Sequence, residues 1–203
     1  MAMWFTSDTH FGHKMMAERR GFIGFTPGSL PDVKAHDEAI IANWNRLIKS
    51  DDLVWHLGDV GLGNESHTLA QVSRLNGRKQ LITGNHDPVW PGHCNSRKHQ
   101  RAWLEVFESV QAFAKIRLGD QMILLSHFPY EGDHTEHDRA TQFRLRDEKL
   151  PLLHGHLHST EVDTGSHSIH VGLDAWQLTP VRESTIMKLL QLRDMAEVEV
   201  VAL

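Results

Sequence analysis

The chain reads as an α/β (α+β) protein with a parallel sheet in its first half and a mixed sheet in its second. Three features predict this. Short apolar runs alternate with longer stretches of helical periodicity from Met3 to Ile82, the pattern of successive β-α-β units. Past residue 110, two strand-like runs flank Gly119-Asp120, a hairpin signal. Several apolar runs end in Gly, Asp, Asn or His, at the position where open α/β sheets gather their chemistry.

Met3-Trp4-Phe5-Thr6-Ser7 reads as the first strand, running into Asp8-Thr9-His10. On an extended chain residues two apart face the same way, so Asp8 and His10, and likewise His156 and His158, are expected to converge by strand alternation. Residues 26–31 form a Pro/Gly/Ser loop. From Asp32 to Lys49 the residues Ile40, Ile41, Trp44, Leu47 and Ile48 recur at helical spacing and predict a core-facing helix. Leu53–Leu57 is a second strand closing on Gly58-Asp59, and Glu65–Leu75 a helix stopped by Asn76-Gly77. A third strand then runs into Gly84-Asn85-His86-Asp87, with Gly84 read as the residue that lets the backbone turn. The second half predicts a helix over 96–107, strands over 112–118 and 121–126, and a charged loop with a little helix over 131–149. Leu150–Leu153 leads into His154-Gly155-His156-Leu157-His158. Two short strands flank 163–166, and Glu183–Leu192 forms a terminal helix or strand. No repeat, linker or low-complexity tract divides the chain, so 1–203 is read as one domain.

With 40% hydrophobic and 23% charged residues, the chain has the composition of a soluble globular protein. At 203 residues it can bury roughly 70% of its unfolded surface without staples. A single cysteine, Cys94, excludes an internal disulfide and fits a reducing compartment. No apolar run approaches the about 20 residues of a membrane helix, and Met1–Phe5 lacks the basic flank of a signal peptide. A cytoplasmic location is expected. A net charge of -5 argues against an extended nucleic-acid surface, though not against an anionic substrate held through cations. The 16 histidines against one tyrosine point instead toward metal ligation or proton transfer.

Five strand ends carry ligand-type side chains: Asp8 with His10, then Asp59, Asn85, His127, and His156 with His158. Mixed nitrogen and oxygen donors without thiolate suit Mn, Fe, Zn, Co or Ni rather than a Cys site or an all-oxygen Mg or Ca cage. Seven donors exceed what one tetrahedral ion uses; two ions sharing a carboxylate would use them all.

Asp8-x-His10, Gly58-Asp59, Gly84-Asn85-His86-Asp87, His127 and Gly155-His156-x-His158 stand in the order and rough spacing of the calcineurin-like metallophosphoesterases, which the chain resembles from residue 8 to 158. Ser7–His13 and Trp55–Val60 resemble the short bacterial and phage members of that superfamily. The resemblance implies a sandwich of two mixed β-sheets flanked by helices. It implies a first metal on Asp8, His10, Asp59 and His158, and a second on Asp59, Asn85, His127 and His156, with manganese the leading candidate for both. His86 would act on the leaving-group oxygen. The expected activity is phosphoesterase chemistry on a small or nucleotide phosphate ester, preferably a diester such as a 2',3'-cyclic nucleotide, through attack of metal-bound hydroxide. Two cations about 3.5–4 Å apart bind the ester oxygens and bring a water's pKa from 15.7 to about 7. A positioned histidine adds about 10²–10⁴-fold.

His13 is read as a residue of the site entrance or a loop cap, His154 as an orienting neighbour of the ligands or core filler, and His56 as a satisfied core histidine. After Asp59 the chain lacks the Asp-Arg-Gly of phosphoprotein phosphatases, whose acid orients the catalytic histidine, so the partner of His86 is Asp87, Glu65 or none. Arg139, Arg144 and Arg146 are read as a solvated charged face. Two other functions fit the same fold: a nuclease on structured nucleic acid, which needs an exposed Lys/Arg groove, and a non-catalytic protein-binding scaffold, which such members reach by losing ligands that this chain retains.

Overall fold

The computed structural model describes residues 1–24, 29–165 and 167–201, so positions 26–28 of the first loop and Ser166 lie outside the described residues. The first half contains β1 (Met3–Thr6), α1 (Lys14–Arg19), α2 (Val33–Leu47), β2 (Leu53–His56), α3 (Glu65–Ser73), β3 (Arg78–Ile82), α4 (Gln100–Trp103) and β4 (Ser109–Gln111). Then follow β5 (Phe113–Leu118), β6 (Gln121–Ser126), β7 (Leu152–His154), β8 (Ser168–His170), β9 (Val181–Arg182) and α5 (Glu183–Val201). One sheet has the order β4-β3-β2-β1-β9 and the other β5-β6-β7-β8. In the first, β1 to β4 are parallel and β9 runs antiparallel to β1; in the second, β5 is antiparallel to β6 while β6, β7 and β8 are parallel. Both sheets are therefore mixed, and the antiparallel edge strand β9 is what the β-α-β pattern alone did not predict.

Alternation along the strands makes the layers. Trp4, Val54 and Leu81 face a core shared with Ile40, Ile41 and Trp44 of α2, with Ile48 just beyond it, and with Val72 of α3. Their neighbours Phe5, Trp55 and Ile82 face the opposite way, against Ile123, Leu125, Leu153 and Ile169 of the second sheet and Ile186 and Leu190 of α5. Each fully buried side chain of this size contributes about 1.5–3 kcal/mol. Helix α2 starts where Asp32 accepts the N–H of Ala35, and α3 where Asn64 accepts that of His67.

The helix expected over 96–107 is not formed. It breaks into a single 3₁₀ turn at Ser96–Lys98 and the one turn of α4. The apolar spacing there has a tertiary cause: His99 Nδ1 and Trp103 Nε1 both meet Glu65 Oε1, at 2.9 and 2.7 Å, and Trp103 stacks on Phe107 in the core. The expected strand before 163 reduces to a bridge between Asp163 and Ile169, and the terminal element is a helix.

Candidate metal centre

The ends of β1, β2, β3, β6 and β7 meet at one edge of the sandwich, and each is followed by ligand-type residues. Their convergence has a different cause from strand alternation. Asp8, His10, Asp59, His156 and His158 all lie beyond their strands and have φ of 59°, 50°, 54°, 71° and 50°. Left-handed backbone costs a side-chain-bearing residue of order 1–3 kcal/mol and persists only where the surroundings enforce it. Here they do: Asp8 N–H donates to Gly58 O (2.9 Å), His10 N–H to Asp59 O (3.0 Å) and Phe11 N–H to Val60 O (2.9 Å). The His156 N–H donates to the Asp8 carboxylate at 3.1 Å and so ties the two sheets together.

Glycines provide the space. A Cβ on Gly84 would strike the carboxylate and backbone N of Asp59, one on Gly155 the side chains of Ser7 and Asp8, and one on Gly58 the Cα of Gly84 at 2.6 Å. Gly84 has no positive φ, so it is required for close approach and not for a turn.

Two groups of donors result, each with its atoms within 4.8 Å of one another: Asp8, His10, Asp59 and His158, and Asp59, His127 and His156. All six residues are buried. Asp59 Oδ2 belongs to both, 3.7 Å from His10 Nε2 and 3.4 Å from His127 Nε2, while its Oδ1 accepts the His86 N–H at 2.9 Å. Facing nitrogens mark each group: His10 Nε2 and His158 Nε2 are 3.2 Å apart, as are His127 Nε2 and His156 Nδ1. Asn85 Oδ1 is buried without a hydrogen-bond partner, as suits an oxygen reserved for a cation. These donors fit divalent ions.

The electrostatics agree for Asp59, His10 and His156, whereas His127 has to give up a proton before it can ligate. Burial pushes Asp59 up, but the charges of His127 and His10 hold its carboxyl well below the usual range. Burial drives His10 well down, and with the charge on His127 it brings His156 down to about 4, leaving both rings neutral with a lone pair to offer. Burial also lowers His127, yet Asp59 overrides it and raises the ring to about 9.

His86 stands at the mouth, with 38% of its side chain exposed, 3.9 Å from Asp59 Oδ2 and with its ring 5.6 Å from that of His10. His13 borders the same opening, its ring 5.3 Å from that of His10. Neither expected partner orients His86. Asp87 is fully buried and accepts three backbone N–H groups, of Asp59 (3.0 Å), Val60 (2.9 Å) and Gly84 (2.8 Å), clamping the second strand end to the third. Burial and the negative charge of Asp59 push it up to about 7. Glu65 is engaged by His99 and Trp103. His154 has both ring nitrogens on Gly155 O and Thr164 Oγ1, at 2.8 and 2.6 Å, and no candidate ligand against them. His56 is a satisfied core histidine: Nε2–H donates to Thr9 Oγ1 (2.9 Å) and Nδ1 accepts the Gly58 N–H (3.2 Å).

Four residues around the centre carried no sequence signal. Asp174 meets His158 Nδ1 at 3.1 Å, Asp133 meets His156 Nε2 at 3.1 Å, Arg20 pairs with Asp174, and His134 lies with its ring 5.3 and 5.5 Å from those of His156 and His158. Arg144 is not part of a solvated face, since it pairs with Asp133 and has only 4% of its side chain exposed; Arg139 also pairs with Asp133 but stays 45% exposed, and Arg146 is solvated. Asp133, His134 and His156 also approach one another closely enough to hold an ion. The two guanidinium groups already neutralise Asp133, however, and an ion there would add a third cation to one carboxylate.

Two mixed sheets with buried Asp and His donors at their shared edge define a calcineurin-like phosphoesterase domain. The family model of the calcineurin-like phosphoesterase superfamily domain matches residues 1–173, and the chain belongs to that superfamily. Among individual proteins, the Gene 66 protein of Mycobacterium phage L5 is 42% identical over 186 residues, covering 85% of this chain and 86% of the phage protein. The Gene 66 protein of phage D29 is 42% identical over 196 residues, 89% of this chain and 92% of its own. The crystal structure of a protein of unknown function from Aquifex aeolicus shares the fold, with a TM-score of 0.66 at 24% identity over 93% of this chain and 98% of that one. Among the described residues no helix is long and apolar enough to cross a membrane.

Proposed function

We propose that the chain is a dinuclear-metal phosphoesterase that hydrolyses a small or nucleotide phosphate ester, a diester in preference to a monoester. The observation that carries this reading is the single buried oxygen, Asp59 Oδ2, shared by two groups of Asp and His donors. In it Asp8, His10, Asp59 and His158 hold one divalent ion and Asp59, Asn85, His127 and His156 a second, with manganese first among Mn, Fe, Zn, Ni and Co. When bound, the ions would neutralise charge on the ester and acidify a water for in-line attack.

The protein's residues do the rest. Asp59 is fixed for sharing because its other oxygen is held by the His86 N–H. His127 donates Nδ1–H to Leu57 O at 2.8 Å, which leaves Nε2 as the donor to an ion. His86, half-exposed at the mouth, delivers a proton to the departing oxygen, and His13 borders the same opening. The preference for a diester follows from charge. Arg20, Arg139 and Arg144 are paired with Asp174 and Asp133 rather than turned to the ester, which suits a substrate carrying one negative charge better than a dianion.

The test is a hydrolysis panel with metal-stripped protein resupplied with Mn, Ni, Co, Zn or Mg. It pairs bis-aryl with mono-aryl phosphates, and 2',3'- with 3',5'-cyclic nucleotides. Metal-dependent turnover of diesters is expected. Metal uptake with no hydrolysis of any of them refutes the enzyme reading, and faster turnover of the mono-aryl ester refutes the diester preference.

A further inference from the structure

A neutral imidazole that gives one nitrogen to a metal carries its proton on the other, and whatever accepts that proton fixes the tautomer and the ring angle. For His127 the acceptor is the carbonyl of Leu57. The two histidines of Gly155-His156-Leu157-His158 have carboxylates instead, and they present opposite nitrogens. His156 turns Nε2 to Asp133 Oδ2 at 3.1 Å and leaves Nδ1 facing the second group of donors. His158 turns Nδ1 to Asp174 Oδ2 at 3.1 Å and leaves Nε2 facing the first. Both rings are carried by left-handed residues beyond the end of one strand, so backbone geometry alone does not distinguish them.

Each carboxylate is enclosed and separately neutralised. The Asp133 side chain is fully buried, 2.9 Å from Arg139 Nη2 and 3.7 Å from Arg144. The Asp174 side chain is 11% exposed and is gripped by Nε and Nη2 of Arg20 at 2.9 and 3.0 Å. Asp174 falls one residue beyond the matched family region, and Asp133 belongs to the charged segment 131–149.

We infer that Asp133 and Asp174 are positioning residues that impose opposite tautomers on His156 and His158, and so assign these neighbouring histidines to different ions. Asp174 serves the first site and Asp133 the second. Because Asp133 also anchors segment 131–149 through Arg139 and Arg144, docking of that segment and filling of the second site are coupled. The inference rests on the ligand assignment proposed above.

The test is calorimetric titration of the metal-stripped full chain with MnCl₂, using His10→Ala and His127→Ala to mark which transition belongs to which site. Asp133→Asn is expected to weaken the second site about 10-fold or more and leave the first unchanged; Asp174→Asn is expected to do the reverse, within the about 10–100-fold typical of such partners. Each variant thereby controls for folding of the other, and Asp133→Ala is expected to exceed Asp133→Asn. Nitrogen-15 histidine spectra add a readout independent of affinity, with the proton on Nε2 of His156 and on Nδ1 of His158. A wild type that takes up fewer than two ions refutes the dinuclear reading. A wild type that takes up two, with variants that lower neither site or both sites equally, or with the same tautomer on both rings, refutes the positioning roles alone.

Discussion

Arg20→Lys is expected to destabilise the protein severely although it conserves charge. The Arg20 side chain is 3% exposed, and its N–H groups meet five acceptors. Nε and Nη2 hold the two oxygens of Asp174, Nη2 also reaches Asp8 O (2.8 Å), and Nη1 reaches Thr9 O (3.2 Å) and His36 Nε2 (3.1 Å). Guanidinium has five N–H groups in a fixed fork and ammonium has three, so lysine leaves at least two enclosed acceptors without a donor. At about 1–3 kcal/mol each the loss is about 2–6 kcal/mol, a large part of a typical total of about 5–15 kcal/mol. With a urea dependence of about 2 kcal/mol per molar, the unfolding midpoint falls by about 1–3 M. The assay is urea unfolding of metal-stripped protein, which separates this effect from lost metal binding. A variant within about 0.5 kcal/mol of wild type, the range of ordinary surface substitutions, would refute the donor count.

His86→Ala is expected to retain both metals and lose about 10²–10⁴-fold in kcat on a diester with a poor leaving group, less on an aryl ester that departs unaided; unchanged turnover on the poor leaving group would assign the proton to another residue. Gly58→Ala places a Cβ at φ +90° and against Gly84 Cα, and an unfolding midpoint equal to wild type would contradict the close approach of the two strand ends. For pH, burial holds His56 at about 4 in the folded protein, below its unfolded value of 6.5. The unfolded chain therefore binds the proton first, so the His56 contribution is complete above pH 6.5 and is lost as pH falls toward 4, by up to about 3 kcal/mol. Denaturation curves in chelator between pH 7 and 4.5 should be flatter for His56→Gln than for wild type, and parallel curves would count against the burial cause. Saturating Mn is expected to raise stability by about 2.7 kcal/mol for each ion bound at 100 times its Kd, and a melting temperature indifferent to chelator would show that no ion binds the folded state.

Much of the centre was legible because its chemistry is written locally. Glycine beside Asp59, Asn85 and His156 marks places where a Cβ would collide with a neighbouring strand end, and a run of apolar residues before each marks the strand that delivers it. Strand alternation nevertheless predicts the wrong geometry for Asp8 with His10 and for His156 with His158. These pairs converge through left-handed residues beyond the strands, held by hydrogen bonds from other chain segments. The periodicity over 96–107 misled for a related reason. Trp103 and Phe107 are spaced by the core they enter and His99 by Glu65, none of which requires a continuous helix.

Asp87 shows where the boundary lies. Its place beside His86 suggested a catalytic partner, yet its three bonds go to backbone N–H groups of Asp59, Val60 and Gly84, so it fastens two strand ends together. The sequence alone determined the donor types, their order at successive strand ends and the α/β framework, because these depend on residue identity and on periodicities a few residues long. Only the tertiary structure decided which oxygen is shared and which carboxylate turns each histidine. It alone joined Arg20 to Asp174 across 154 residues and Asp133 to His156 across 23. A charged residue in a loop looks alike whether water or a buried imidazole awaits it, and the difference arises only when folding removes the water.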